Sequence, residues 1–343
     1  MAIELELGLD TFGDVTAAPG GGLLSQAQTI RDVVEEGILA DTVGVDFFGI
    51  GEHHRDDFSV SAPEVVLAAV ASRTKRIRMG SAVTVLSSDD PVRVFQRFST
   101  LDAISGGRAE VILGRGSFTE SFPLFGYDLR DYEKLFEDKL GLFVALLRSQ
   151  GPVSWEGAGR APLVRQRAYP QIENGRLRTW IGIGGSPESV VRAARFELPL
   201  MLAIIGGDPV RFRPYVDLYR RASQRLDQSA LAIGVHSPGY VGETDVEARE
   251  EFWAHYKHMR DRIGAERGWP PLTRSEFDQE GESGSLYVGA AVTVARKIVK
   301  LVKALGLSRF DLKYSAGPLP HEKLMRSIEL YGTKVIPLVR EML

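Results

Sequence analysis

Residues 49–54 read Gly-Ile-Gly-Glu-His-His and close an apolar run that begins at Val45. Histidine is the side chain whose proton moves most readily near neutral pH, so His53 at a strand end suits general acid–base work. Glu52, His54 and Arg55 suit bracing of the same loop by hydrogen bonds. A shared metal fits poorly. Adjacent strand residues face opposite ways, so His53 and His54 do not converge on one ion, and no His-x-His spacing occurs. His255 and His258 stand three apart on a helix with no acidic helper, and read as a solvated face. No metal site is expected.

Two further turns suit an anion. Gly114-Arg115-Gly116 follows a second strand-like run. A guanidinium binds phosphate through two donors at once, and flanking glycines let the backbone come close. In Gly182-Ile-Gly184-Gly185-Ser186-Pro187 a strand runs into a glycine-rich turn and then a helix. Ser186 suits the N-cap and Pro187 the first helical position. The free N–H groups of Gly184, Gly185 and Ser186 at that helix start make an anion cradle; an ordinary serine cap is the plainer alternative. Parallel-barrel enzymes more often place phosphate after strands seven and eight, where Gly239 and Gly317-Pro318 are weaker candidates. Arg73 to Arg78 and the arginines at 160, 165, 167, 176 and 178 read mainly as solvated charge.

These turns need a scaffold that brings strand ends to one rim. The chain alternates strand and helix patterns. Strands are expected at Leu5–Leu9, Val45–Ile50, Ile77–Leu86, Ala109–Leu113, Thr179–Ile183, Leu198–Ile205, within Leu231–Val241, and at Phe310–Tyr314. Helices are expected at Gln26–Val43, Pro63–Arg73, Pro91–Ile104, Tyr132–Arg148, Pro187–Arg195, Val210–Leu226, Val246–Ile263, Val292–Leu305 and Glu322–Met342. The strands are continuous apolar runs, as strands buried on both faces must be. Eight such units predict a closed (β/α)8 TIM barrel, one domain over 1–343, with insertions at about 150–178 and 265–289. The alternative, an open doubly wound sheet, lacks a G-x-G-x-x-G after its first strand. Residues 265–289 read as irregular and suit either a lid at the catalytic rim or a plain surface loop.

The bulk numbers narrow the class. Of 343 residues, 44% are hydrophobic and 25% charged, with a net charge of −3 and no cysteine. That balance argues against an extended nucleic-acid or anionic-membrane surface. Thiolate chemistry and Cys-ligated zinc are excluded. The first residues carry acids where a signal peptide needs bases, and no apolar run is long enough to span a bilayer. A cytoplasmic location is expected.

Taken together and in order, these pieces resemble the bacterial-luciferase-like family of flavin-dependent monooxygenases. The resemblance covers nearly the whole chain. It rests on Glu52-His53-His54, the strand from Gly80 to Leu86, Asp90-Pro91-Val92-Arg93, the run from Leu101 to Arg108 leading into Gly114-Arg115-Gly116, Phe125-Gly126, the run from Ala193 to Pro199, and Val335-Ile336-Pro337. It implies a luciferase-like barrel and reduced FMN. His53 matches the active-site histidine. Ala82 and Val83 match the bulge beside the flavin ring, where the family often has a non-prolyl cis peptide. Arg115, Gly184, Gly185 and Ser186 match the phosphate contacts. Gly114 stands where luciferase has a reactive cysteine, and Gly185 where it has a glutamate, so light emission and an aldehyde substrate are not implied.

The function expected from the resemblance is a two-component monooxygenase acting on a small organic substrate with O2. A separate flavin reductase would supply reduced FMN, since no nicotinamide fingerprint is present. A homodimer is expected. The alternatives are hydride transfer with a deazaflavin, a flavin-binding protein without catalysis and, last, a metal-dependent hydrolase. The substrate is not legible, because loops such as Ser117–Phe125 and 265–289 line the pocket.

Overall fold

The computed structural model describes residues 5–157, 159–173, 175–228 and 231–343. Eight parallel strands close on themselves: β1 (Glu6–Thr11), β2 (Phe47–Ile50), β3 (Arg78–Val85), β4 (Ala109–Gly114), β7 (Arg178–Ile183), β8 (Leu200–Ala203), β9 (Ile233–Gly242) and β11 (Arg309–Lys313). The ring runs in that order, and the β8–β9 and β9–β11 pairings close it. The barrel expected from the alternating pattern is therefore present.

Helices α1 (Gln26–Thr42), α2 (Pro63–Arg73), α3 (Pro91–Ser105), α5 (Tyr132–Arg148), α6 (Pro187–Arg195), α7 (Arg213–Arg225), α8 (Asp245–Arg267) and α10 (Ala291–Leu305) form the outer layer, and α11 (His321–Leu330) with α12 (Ile336–Met342) completes it. Their starts are set locally. The Asp90 carboxylate accepts from the amides of Val92 and Arg93 with Pro91 at the first position, and Ser25 and Ser186 cap α1 and α6. The helices press apolar stripes on the barrel: Leu140, Phe143 and Val144 of α5 and Ile298, Leu301 and Leu305 of α10 are buried. None of the helices among the described residues is long and apolar enough to cross a membrane.

Both insertions are more ordered than their composition suggests. Residues 150–178 contain an antiparallel hairpin, β5 (Val153–Gly157) and β6 (Arg160–Gln166). Residues 265–289 are not an irregular loop. They hold the last turn of α8, then α9 (Arg274–Glu282), then β10 (Tyr287–Ala290), which adds in parallel to the far end of β9. A Thr273–Glu276 capping box starts α9, a local signal masked by the surrounding Gly, Pro and Ser. A short helix, α4 (Ser121–Phe125), lies between β4 and α5.

The N-terminal end of the barrel is plugged by charge. Arg309, fully buried, donates to Glu110 at 2.7 Å and to Asp311 at 2.9 Å, and Trp180 Nε1 donates to Glu110 at 3.0 Å. Burial opposes ionisation of Glu110, but the guanidiniums of Arg309, Arg178 and Arg78 outweigh it and hold its carboxyl at about 2. With this floor closed, the barrel opens only toward the strands' C-terminal ends.

Candidate active site

The strand ends open into one cavity of about 1280 Å³, lined among others by His53, Ala82, Val83, Arg115 and Gly184. Ligand sites usually measure about 300–1,000 Å³, so this one is large.

His53 follows β2, and its amide donates to the Val60 carbonyl at 3.0 Å. Its ring sits among aromatic rings, with centroids 4.3 Å from Phe12, 4.6 Å from Phe58 and 5.2 Å from Phe118. Burial, reinforced by Lys313, His54 and Arg55, pushes the imidazole down to about 3. His53 is thus neutral at physiological pH. It can accept or donate a hydrogen bond, but near neutrality it neither takes a proton nor holds one to give as an imidazolium. Glu52 braces the loop: it bonds His54 at 2.9 Å and accepts from the Val85 amide at 2.8 Å, while its own amide donates to Val83 at 3.1 Å. The end of β2 is thereby fixed to the bend of β3.

That bend lies where the sequence places it. The Ala82–Val83 peptide is cis, and the β3–β4 register slips between Ala82 and Thr84. Val83 fills the space that side chains at Gly114 and Gly182 would take; an added Cβ would stand 2.5 Å and 2.9 Å from its methyl carbons. Glycine at 114 therefore answers the shape of Val83. Ala82 and Val83 present their exposed faces to the cavity.

Arg115 and the Gly184-Gly185-Ser186 turn follow β4 and β7, which are neighbours in the ring. Gly184 has open space where a Cβ would sit, and Gly185 takes φ +118°, a conformation that favours glycine. Arg115 and Gly184 line the cavity, whereas Gly185 and Ser186 are not among its lining residues. Ser186 is also the plain cap, since its Oγ accepts from the Ser189 amide at 3.3 Å. Two carboxylates hold the donors: Glu133 pairs with Arg115, and Glu188 accepts from Ser186 Oγ at 3.0 Å. Glu133 is 59% exposed, so a stronger anion displaces it at small cost.

The weaker phosphate candidates do not hold. Gly239 lies inside β9 against the Tyr287 carbonyl, and its lack of a side chain admits β10. The Gly317 amide is already bonded to Asp14 at 3.0 Å. The basic clusters are accounted for as surface or scaffold: Arg73 pairs with Glu35, Arg160 with Asp90, and Arg178 with Glu6 at the plugged end, while Arg165, Arg167 and Arg176 are exposed. Among the described residues no cluster of three or more His, Cys, Asp or Glu is arranged to hold a metal.

Several lining residues escaped the sequence reading. Asp10 on β1 and His236 on β9 form a pair at 2.7 Å, although they are 226 residues apart. Lys313 of β11 bonds Asp14 at 3.0 Å and lies 4.5 Å over the Phe12 ring. The one available signal was a charged residue inside a strand buried on both faces. At the mouth, Arg55 is held by Asp57 (2.9 Å), Glu120 (2.6 Å) and Glu266 (2.6 Å), which ties its own loop to the loop after β4 and to the end of α8. Trp269, Leu272 and Phe277 from the second insertion line the outer cavity.

A parallel barrel with a buried histidine, a bent third strand and an anion-suited turn at one rim is the arrangement the resemblance to luciferase-like monooxygenases implies. The luciferase-like monooxygenase profile matches residues 11–308, and the chain belongs to this family. An alkanal monooxygenase alpha chain of Photorhabdus luminescens is 31% identical over 68% of this chain and 65% of its own. Among solved structures, a monooxygenase from Streptomyces bottropensis superposes with a TM-score of 0.83 at 22% identity, covering 97% of this chain and 99% of that one. The oxygenating constituent of 3,6-diketocamphane monooxygenase from Pseudomonas putida, in complex with FMN, gives 0.77 at 18% over 98% and 99%. An F420-dependent secondary alcohol dehydrogenase gives 0.77 at 16% over 98% and 99%.

Proposed function

We propose that the protein is the oxygenase of a two-component system that binds reduced FMN and inserts an atom of O2 into a small organic molecule. The observation that carries this is one cavity lined at once by His53, the Ala82–Val83 bend, Arg115 and Gly184. The residues fit the cofactor. The bend offers a flat apolar face for a ring system, and Arg115 with the α6 N-terminus offers a guanidinium and free amides for the phosphate. Reduced flavin supplies the electrons that activate oxygen. The protein's own part is to hold the ring against β3, keep water out with the aromatic rings around His53, and place His53 as a neutral hydrogen-bonding partner. A separate reductase would deliver the reduced cofactor, and we expect a homodimer, which sedimentation would show.

A deazaflavin is the second reading, favoured by the F420-dependent structural neighbour. Titrating the protein with FMN, riboflavin and a deazaflavin separates the cases. FMN should bind more tightly than riboflavin. Arg115→Ala should weaken FMN about 10- to 150-fold, the loss of a charge-assisted contact of about 1.5–3 kcal/mol, and leave riboflavin unchanged. Equal binding of FMN and riboflavin would refute the phosphate assignment. Preference for the deazaflavin would replace the monooxygenase reading with hydride transfer.

A further inference from the structure

Asp10 and His236 have no part in the function proposed so far, and their placement gives them one. Asp10 lies on β1, fully buried, and His236 Nδ1 is its one side-chain hydrogen-bond partner among the described residues. A carboxylate on Nδ1 fixes the ring and leaves Nε2 as the working atom. His236 lines the cavity and is 13% exposed, so an edge of its ring is open to a bound molecule. In the ring of strands, β9 stands four places from β3, on the opposite wall. A planar cofactor on the β3 bend therefore leaves the reacting molecule between itself and His236.

We propose that His236, oriented by Asp10, is a proton acceptor for the substrate, and that the substrate is an aromatic or enolic compound carrying an ionisable hydroxyl. This rests on the cofactor lying against β3. The step is a proton transfer alone: the substrate O–H bond breaks, an Nε2–H bond forms, and an imidazolium faces an electron-rich oxyanion. Acidity sets the class. A phenolic hydroxyl ionises near 10, and an imidazole whose charged form is stabilised by a buried carboxylate can compete for its proton. An aliphatic hydroxyl, nearer to water's 15.7, lies out of reach, and a carboxylic acid needs no base. The wall agrees. Phe12 lies 6.1 Å from His236 at 15° and 4.3 Å from His53, so this wall offers aromatic surface to a flat ring.

The electrostatics support the dyad. Burial would lower His236, but the Asp10 carboxylate outweighs it and the imidazole is raised above its ordinary value. Asp311 of β11 adds to the rise, Lys313 of β11 opposes it, and β8 contributes no titratable group. The two histidines of the cavity thus differ in proton affinity in the sense that separates their duties.

The test uses the cofactor-free protein and 4-nitrophenol, whose ionised form is coloured, with 4-nitroanisole as a non-ionisable control. Wild type should bind 4-nitrophenol with its ionisation moved down by about one pH unit or more, tenfold in ionisation constant. His236→Gln and Asp10→Asn should lose most of that shift while 4-nitroanisole, which has no proton to lose, still binds. Nitrogen-15 spectra of the histidines in wild type need no variant: His236 should show the Nδ1–H tautomer, hold its proton above the ordinary range, and respond to 4-nitrophenol. An unshifted ionisation in wild type, a shift that survives both substitutions, or a His236 that titrates low would each overturn the proposal. FMN titration on the same preparation tells its failure apart from failure of the flavin reading.

Discussion

Replacing Gly114 by Ala tests whether the bend of β3 is held by side-chain packing from β4. The new Cβ would stand 2.5 Å from Val83 Cγ2, 3.0 Å from its Cβ and 3.2 Å from its Cγ1. Comfortable carbon contacts are about 3.5–4.0 Å, so something must move by about 1 Å. A valine is stiff at χ1 and cannot swing aside. The other side of Val83 faces Gly182, where one methyl already lies 2.9 Å from a would-be Cβ. We expect the overpacking to cost about 1–3 kcal/mol, read by urea unfolding, with weaker FMN binding because the inner wall shifts. Val83→Ala removes two methyl-sized groups, about 1.6 kcal/mol at most for a half-buried side chain. It also removes the clash, so the double variant should be at least about 1 kcal/mol more stable than the sum of the single losses. If the losses simply add, within about 0.5 kcal/mol, Val83 is not the partner of Gly114 and the account of the bend is wrong.

Three other outcomes follow from the same geometry. His53→Ala should abolish turnover and leave FMN affinity nearly unchanged; surviving turnover would remove His53 from the chemistry. Because His53 is depressed to about 3 in the native state, the unfolded chain takes up a proton there below about pH 6.5 that the native chain refuses. His53 therefore lowers stability as pH falls from about 6.5 to 3, and His53→Phe should flatten that part of the unfolding-against-pH curve. Glu110→Ala leaves Arg309 buried with only Asp311 as its charged partner, which should cost about 3–5 kcal/mol by denaturant unfolding; a loss under 1 kcal/mol would show that the floor is not held by this charge network.

The sequence by itself determined the barrel, because strands buried on both faces must be apolar along their length and helices between them must carry one apolar stripe. All eight barrel strands stand where that pattern puts them. It also pointed to His53 and to the Arg115 and Gly184 turns as local motifs just beyond strands, whereas the Ala82–Val83 bend, which lies inside β3, followed from the family resemblance alone. The second insertion was misjudged for two reasons: α9 starts from a capping box hidden in a polar stretch, and β10 is a strand only because β9 runs long enough to pair with it. Only the tertiary structure decided the rest. Asp10 and His236 meet because β1 and β9 lie on either side of β11 in a closed ring, a neighbourhood no sequence period encodes. Ring closure also makes His53 neutral, since burial among Phe12, Phe58 and Phe118 sets its proton affinity, and those three rings come from separate loops. Chemical identity is written residue by residue, whereas proton affinity depends on what the fold packs around each group.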